Sequence, residues 1–291
     1  MNTPAALILG ALALAIFVAM ASAEDQDQDA PSGLRVLSAN IRFGLADDGA
    51  HAWKKREALT VETLVEAKPD ILGLQEALGF QVAAVHKAFP GHSLIGEGRD
   101  AGGKGEWCAI LVDSQRFSIR ASGTFRLSPD DKVGAMGWDA ACTRIATWAE
   151  LEDRKSPGAT LLVLNAHFDH VGKEARAKSA ELLVSWGKAR QKARGETPVI
   201  LLGDLNAEEA SPPLELLKQA GMRDTFRVKH PEAEEDGTFH GFQGGRDGRR
   251  IDFVLATKHW RVEDAWIDWT EKDGRYPSDH RFVGATLVRK R

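Results

Sequence analysis

TPVILLGDLN, residues 197–206, is the stretch around which the chain arranges itself. Val199 to Leu202 form an unbroken apolar run that ends at once in Gly203-Asp204-Leu205-Asn206. A short apolar run closed by Gly and Asp reads as a strand buried on both faces, the kind found inside an α/β sheet. The carboxyl end of such a strand is where open α/β sheets present chemistry. A carboxylate, Asp204, and a carboxamide, Asn206, leave the strand there together. The sheet would hold the first rigidly, and the second can donate to a substrate oxygen. Gly-Asp and Asn are also common turn formers, so this stretch alone does not separate a turn from a site. Repetition of the arrangement along the chain does.

Outward from it, Leu161 to Leu164 is a second buried strand, delivering Asn165-Ala166-His167-Phe168-Asp169-His170. A helix with Ala175, Leu182, Leu183, Trp186 and Ala189 on one face joins the two. Nearer the start, Leu34 to Ala39 ends in Asn40, and Asp70 to Leu74 ends in Gln75-Glu76. Helices are expected at Trp53 to Ala67, stopped by Pro69, and at Phe80 to Phe89. Trp107 to Val112, Phe117 to Leu127 and Thr143 to Leu151 read as antiparallel strands. Ser211 is placed to cap a helix opened by Pro212-Pro213 and closed by Gly221. Arg250 to Ala256 is a strand carrying Asp252, and Phe282 to Val288 is preceded by Ser278-Asp279-His280. Gly96 to Gly105 and Arg223 to Arg250 read as loops, the former without P-loop spacing. No tandem repeat is present, but strand–helix alternation occurs in both halves.

Ala5 to Met20 are apolar and uncharged, and Ala21-Ser22-Ala23 is a small-residue cleavage site. Residues 1–23 therefore read as a secretory signal peptide, 24–33 as a linker, and 34–291 as one domain of roughly 260 residues. The alternative is an uncleaved spanning helix. Cleavage leaves no stable membrane anchor and a secreted or periplasmic product, expected to be a monomer. The formal charge of −4 gives no global basic field to recruit nucleic acid or anionic membrane. That disfavours a non-specific nucleic-acid-binding module and leaves room for a local basic cleft. Cys108 and Cys142, both in strand-like segments, could pair after export or remain two free buried thiols. They do not make a zinc site.

Six strand ends or adjoining loops carry polar groups suited to phosphate cleavage: Asn40, Glu76, His167 with Asp169, Asp204 with Asn206, Asp252, and Asp279-His280. A lone hard carboxylate such as Glu76, helped by a neighbour and waters, suits Mg²⁺, with Mn²⁺ as the substitute. Such an ion would polarise a phosphoryl oxygen. Asp252 beside Asp279-His280 gives a carboxylate–imidazole pair for proton transfer. No Gly-x-Ser-x-Gly elbow is present, which disfavours a serine hydrolase. Paired carboxylates also serve glycosidases, although Asn and His partners suit phosphate better.

The ordered segments SANIRFG, DILGLQE, NAHFDHVG, GDLN, RIDFVL and SDH resemble the motifs of the endonuclease/exonuclease/phosphatase superfamily over residues 34 to 288. The resemblance implies a four-layered α/β sandwich, two mixed β-sheets face to face with helices outside. It also implies divalent-metal-dependent phosphoester hydrolysis, on a small or lipid-like substrate, with a secreted nuclease acting on DNA or RNA as the rival. A non-catalytic binding protein on the same scaffold is the rival of another class, disfavoured because the set of site residues is complete. By the same resemblance Glu76 is the principal metal ligand, supported by Asn40 and Asp279. His167 stabilises the phosphate, Asp204 and Asn206 orient the attacking water, and Asp252 with His280 closes the site. GTFRLS, GWDAACTRIATW and GTFHGF resemble a branch of secreted bacterial members, which places Trp138, Arg144, Asp169 and His240 on the substrate side.

Overall fold

The structure is a computed structural model that describes Met1 and residues 33–290. The expected signal peptide and nearly all of the linker lie outside the described residues. The chain opens with β1 (Leu34–Asn40), α1 (Trp53–Glu66), β2 (Ile71–Gln75) and α2 (Gly79–Ala88). A short edge strand, β3 (His92–Ile95), precedes a hairpin of β4 (Gly98–Asp100) and β5 (Lys104–Trp107). Then come β6 (Ile110–Asp113), β7 (Phe117–Arg126), β8 (Ile145–Asp153) and β9 (Thr160–His167). The second half holds α3 (Lys173–Arg194), β10 (Val199–Asp204), α4 (Pro212–Gln219), β11 (Met222–Asp224) and α5 (Thr225–Lys229). It finishes with β12 (Asp252–Thr257), β13 (Trp260–Ile267) and β14 (Val283–Arg289).

Two six-stranded mixed sheets result, ordered β13-β14-β1-β2-β6-β3 and β11-β12-β10-β9-β8-β7. Alternation along each strand builds the layers. In β1 and β10, Val36, Ile200 and Leu202 enter the core between the sheets, with Ile71, Val163 and Val254. Leu37 and Leu72 point the other way, against Leu64 of α1 and Val82 of α2. Leu201 and Leu164 meet Leu183 of α3 and Leu217 of α4. The chain is thus the expected four-layered α/β sandwich. A buried polar tie in the middle of the sandwich crosses between the sheets: Asn165 donates to the Leu74 and Ala109 carbonyls (both 2.9 Å) and accepts from Gln75 (2.6 Å).

Several local expectations change. Residues 96–105 hold the β4–β5 hairpin rather than a plain loop, and the strand expected at 107–112 is broken between β5 and β6. Cys108 lies in that break, and Cys142 in a loop; both are free, not paired, and neither is in a strand. Ser211 occupies the N-cap of α4 but makes no side-chain cap, because Pro at the first two helical positions removes N–H donors. Its hydroxyl donates back to Glu208 O instead. Among the described residues, no helix is long and apolar enough to cross a membrane.

Candidate active site

Strand register assembles the site. β9 and β10 run parallel with Asp204 opposite His167, and β12 runs antiparallel with Asp252 opposite Asp204. Three functional side chains therefore stand abreast at one sheet edge. In the facing sheet, parallel β1 and β2 place Asn40 opposite Gln75, so Glu76 leaves the strand one residue later. Gly203 has a steric reason: a Cβ there would sit 2.2 Å from Ala166 O, so β9 and β10 can approach only around a hydrogen.

Glu76 and Asn206 both adopt left-handed backbone conformations, with φ of 57° and 46°. Asn tolerates this region, whereas Glu is uncommon there. Glu76 is held by Phe43 N–H, which donates to Oε2 at 2.7 Å, and by Asn40 Nδ2, which donates to Oε1 at 3.0 Å. Strain of this kind persists where the surroundings over-determine the residue, commonly at functional sites.

The side chains converge on a cleft of about 550 Å³. Asp204 Oδ2 accepts from Asn40 Nδ2 (2.9 Å) and lies 3.4 Å from His167 Nε2 and 3.8 Å from His280 Nε2. Its Oδ1 accepts from Asn206 N–H at 2.9 Å. Burial, reinforced by Asp252, pushes its carboxyl up to about 7. His280 Nδ1 lies 2.9 Å from Asp252 Oδ2. Burial opposes charge on that imidazole, but Asp252 and Asp204 outweigh it and raise its affinity for a proton well above the ordinary range. His167 goes the opposite way, held well below the usual imidazole value by burial and then by Arg144. Arg144 Nη1 lies 2.9 Å from His167 Nδ1. A guanidinium only donates, so Nδ1 carries the lone pair and the proton of the neutral ring sits on Nε2, which lies 3.0 Å from the Asn206 side-chain amide and 3.4 Å from Asp204 Oδ2.

Glu76, His167, Asp204, Asn206, Asp279, His280 and Arg144 line the cleft, with Asn40 and Asp252 buried directly behind them. Asn40 lies between the two sheets' carboxylates. Arg42 N–H donates to its Oδ1 at 3.0 Å, which turns the amide nitrogen, not the oxygen, toward Glu76 and Asp204. It orients the Glu76 and Asp204 carboxylates. Trp138, Asp169 and His240 do not line the cleft. Asp169 is consumed by its own turn, its Oδ1 accepting from the Val171 and Gly172 N–H groups at 2.9 and 2.7 Å, while Oδ2 steadies Arg144 Nε at 3.5 Å. His240 is buried edge-on to Tyr276, its backbone N–H donating to Asp279 O at 3.0 Å. Trp138 sits half-exposed in the loop before β8, with a left-handed backbone (φ 49°).

Sequence reasoning missed Arg42, Arg99, Glu106, His170 and Phe239, all on the cleft wall. Arg99 and Glu106 pair at 2.8 Å across the β4–β5 hairpin, and Arg144 Nη2 lies 3.0 Å from His170 Nδ1. The signal available was the charge on an otherwise Gly-rich hairpin.

The donors fit a hard divalent cation. Glu76 and Asp204 present carboxylate oxygens within 4.8 Å of one another, and Asp279 lines the same cleft. Burial drives both Asp204 and Asp279 toward the protonated form, and the neighbouring carboxylates, Asp252 for the first and Glu76 for the second, add to it, effects that a bound cation would relieve. Oxygen donors outnumber nitrogen there, as Mg²⁺ or Mn²⁺ prefers. A second cluster, Cys142, Asp169 and His170, is a poorer host because the Arg144 guanidinium lies among its members.

Comparison with known proteins gives a consistent picture. The profile described as "Endonuclease/Exonuclease/phosphatase family" matches residues 37–280. A Bacteroides vulgatus endonuclease/exonuclease/phosphatase is 32% identical with a TM-score of 0.81, covering 89% of this chain and 100% of its own. A Bacteroides thetaiotaomicron mannosyl-6-phosphatase is 31% identical with a TM-score of 0.76, covering 88% and 100%. The human nocturnin catalytic domain, 20% identical with a TM-score of 0.72 and covering 89% and 95%, shares the fold. Curated proteins give no match.

Proposed function

Because the chain belongs to the endonuclease/exonuclease/phosphatase family, whose members hydrolyse phosphoester bonds, we propose that it is a divalent-metal-dependent hydrolase of a small phosphoester. The observation that carries this is the convergence of His167, Asp204 and Asp252 from one sheet on Glu76 and Asn40 from the other. Glu76 and Asp279 would hold the cation, which would polarise a phosphoryl oxygen and offset charge as the bond to the leaving group breaks. Asp204, with a carboxyl poised near neutrality and fixed by Asn206 and Asn40, accepts the proton of the attacking water. The water oxygen bonds to phosphorus, the bond from phosphorus to the ester oxygen breaks, and that oxygen takes a proton from His280. The products are phosphate and an alcohol. His167 Nε2–H, Asn206 and Arg144 supply hydrogen bonds and positive charge to the phosphoryl oxygens.

A small substrate accords with the formal charge of −4 and with the mannosyl-6-phosphatase among the relatives. The test is a panel: purified protein with Mg²⁺ or Mn²⁺ against sugar phosphates, phospholipids, a chromogenic bis-ester and plasmid DNA. Turnover fastest on a small ester, with kcat/KM nearly flat in salt, is expected. Faster cleavage of plasmid, falling by about 0.9 log units per log salt for each phosphate contacted, would overturn the reading in favour of a nuclease.

A further inference from the structure

A second cavity, of about 990 Å³, opens beside the catalytic cleft and shares Asn206 and Arg249 with it. The start of α3, the turn before α4 and part of the segment before β12 form its walls. That volume is at the upper end of the range of about 300–1,000 Å³ that drug-sized ligands occupy, and far more than a phosphoryl group fills. A leaving group attached to a phosphate in the cleft has this groove as a path outward past Asn206.

The lining is informative for what it contains. No aromatic side chain and no Leu, Ile, Val or Met contributes to it. A nucleobase therefore finds no ring to stack on, and an acyl chain finds no apolar wall. Five cationic side chains face four anionic ones. Arg227 and Arg250 both close on Glu209 (2.7 and 2.8 Å) and on Asp236, and Arg249 pairs with Glu208 at 2.8 Å. Lys173 and Asp247 add one charge of each sign. The groove offers donors and acceptors in nearly equal supply without the net positive field that a polyanion requires. A neutral polyhydroxyl chain matches that supply, because every hydroxyl both donates and accepts and a carboxylate or guanidinium can hold two at once.

Resting on the hydrolase reading above, we infer that this groove binds the leaving group of a phosphorylated glycan longer than one sugar, with its phosphoryl end in the catalytic cleft. Arg176 ties the two spaces together: it lines the groove while donating to Asp169 O at 2.8 Å, in the turn that steadies Arg144.

The test compares kcat/KM on four probes: glycerol 1-phosphate, mannose 6-phosphate, 6-phosphomannotriose and a 3′-phosphorylated trinucleotide. The trisaccharide is expected to exceed glycerol 1-phosphate by at least about tenfold, mostly through KM, and to exceed the trinucleotide. The doubly substituted protein, Lys173→Ala with Asp247→Ala, should lower the trisaccharide-to-glycerol ratio several-fold. Turnover without a gain from mannose 6-phosphate to the trisaccharide, a preference for the trinucleotide, or a ratio unmoved by the double substitution would each overturn the inference and leave the hydrolase reading standing. No turnover of any probe with Mg²⁺ or Mn²⁺ would overturn both.

Discussion

Arg56 is 1% exposed, the largest of the fully buried side chains, and it sits beneath the site rather than in it. Its Nη1 donates to Ile41 O (2.8 Å) and Pro277 O (2.9 Å), Nε to His51 O (2.9 Å), and Nη2 to Arg42 O (3.3 Å). One guanidinium thus pins the loop after β1 to the segment that carries Asp279 and His280. Replacing it with Leu removes three short charge-assisted bonds, each worth about 1.5–3 kcal/mol. Pro277 O keeps the Thr60 hydroxyl at 2.6 Å and Arg42 O keeps the Gln81 amide at 2.9 Å, so the Ile41 and His51 carbonyls are the acceptors that lose their donor. Against this, the substitution recovers the cost of burying a charge, which is several kcal/mol and is already felt as a guanidinium pKa lowered to about 10. The balance is a loss of about 3 kcal/mol. Urea denaturation followed by tryptophan fluorescence should read that difference, with a Tm lower by roughly 6–12 °C at the 2–4 °C per kcal/mol of a domain this size. Arg56→Lys should recover only part, since an ammonium cannot span acceptors spread around a planar fork. A loss under about 1 kcal/mol, or an equal loss for the exposed neighbour in Lys55→Leu, would refute the reasoning.

Glu76→Gln should raise the Mg²⁺ concentration needed for half-maximal activity at least about tenfold while thermal unfolding stays close to wild type; activity persisting in chelator and in this variant would remove the metal from the account. Arg144→Met should cut kcat by about tenfold or more, and ¹⁵N spectra should show the His167 proton no longer confined to Nε2; an unchanged tautomer would assign Arg144 to substrate alone. Burial, with Arg144 opposing it, pushes the Cys108 thiol from its ordinary 9.0 up to about 12. The native state keeps a proton that the unfolded chain gives up, so this contribution is full below pH 9 and is lost as pH climbs toward 12, by about 1.4 kcal/mol per unit. Urea midpoints between pH 8 and 10 should fall less steeply in Cys108→Ala, and equal slopes would refute it. Mass spectrometry of exported protein should find a chain starting near Glu24; a full-length product would sink the signal-peptide reading.

The parts of this fold that could be read beforehand are those where an apolar run ends in a polar residue. β1, β2, β9 and β10 have that form, antiparallel β12 instead begins with its polar residue, Asp252, and register carries these terminal residues into one site. β13 was invisible: WRVEDAWI alternates buried and exposed positions with Glu and Asp outward, so its charge hid its period. β3, HSLI, is too short and too half-buried to register. Within the site, residue types were legible and hydrogen-bond directions were not. The direction of one backbone N–H, Arg42 onto Asn40, decides which end of a carboxamide faces the carboxylates. Likewise Asp169 reads as a substrate-side residue in sequence, but two turn N–H groups claim one of its oxygens.

The division of the site between sheets has a consequence for the newly made chain. β1, at the front of the domain, pairs antiparallel with β14, near its end, Leu34 opposite Leu287 and Ser38 opposite Val283. Asp279 and His280 reach Asn40 and Asp204 only once that pairing has brought their segment in. Without that pairing, β9 and β10 bring His167 and Asp204 together, but the His280 imidazole is not beside them. The set of site residues is therefore complete only when the two ends of the domain are paired, and a chain interrupted before residue 279 lacks the imidazole proposed to protonate the leaving oxygen.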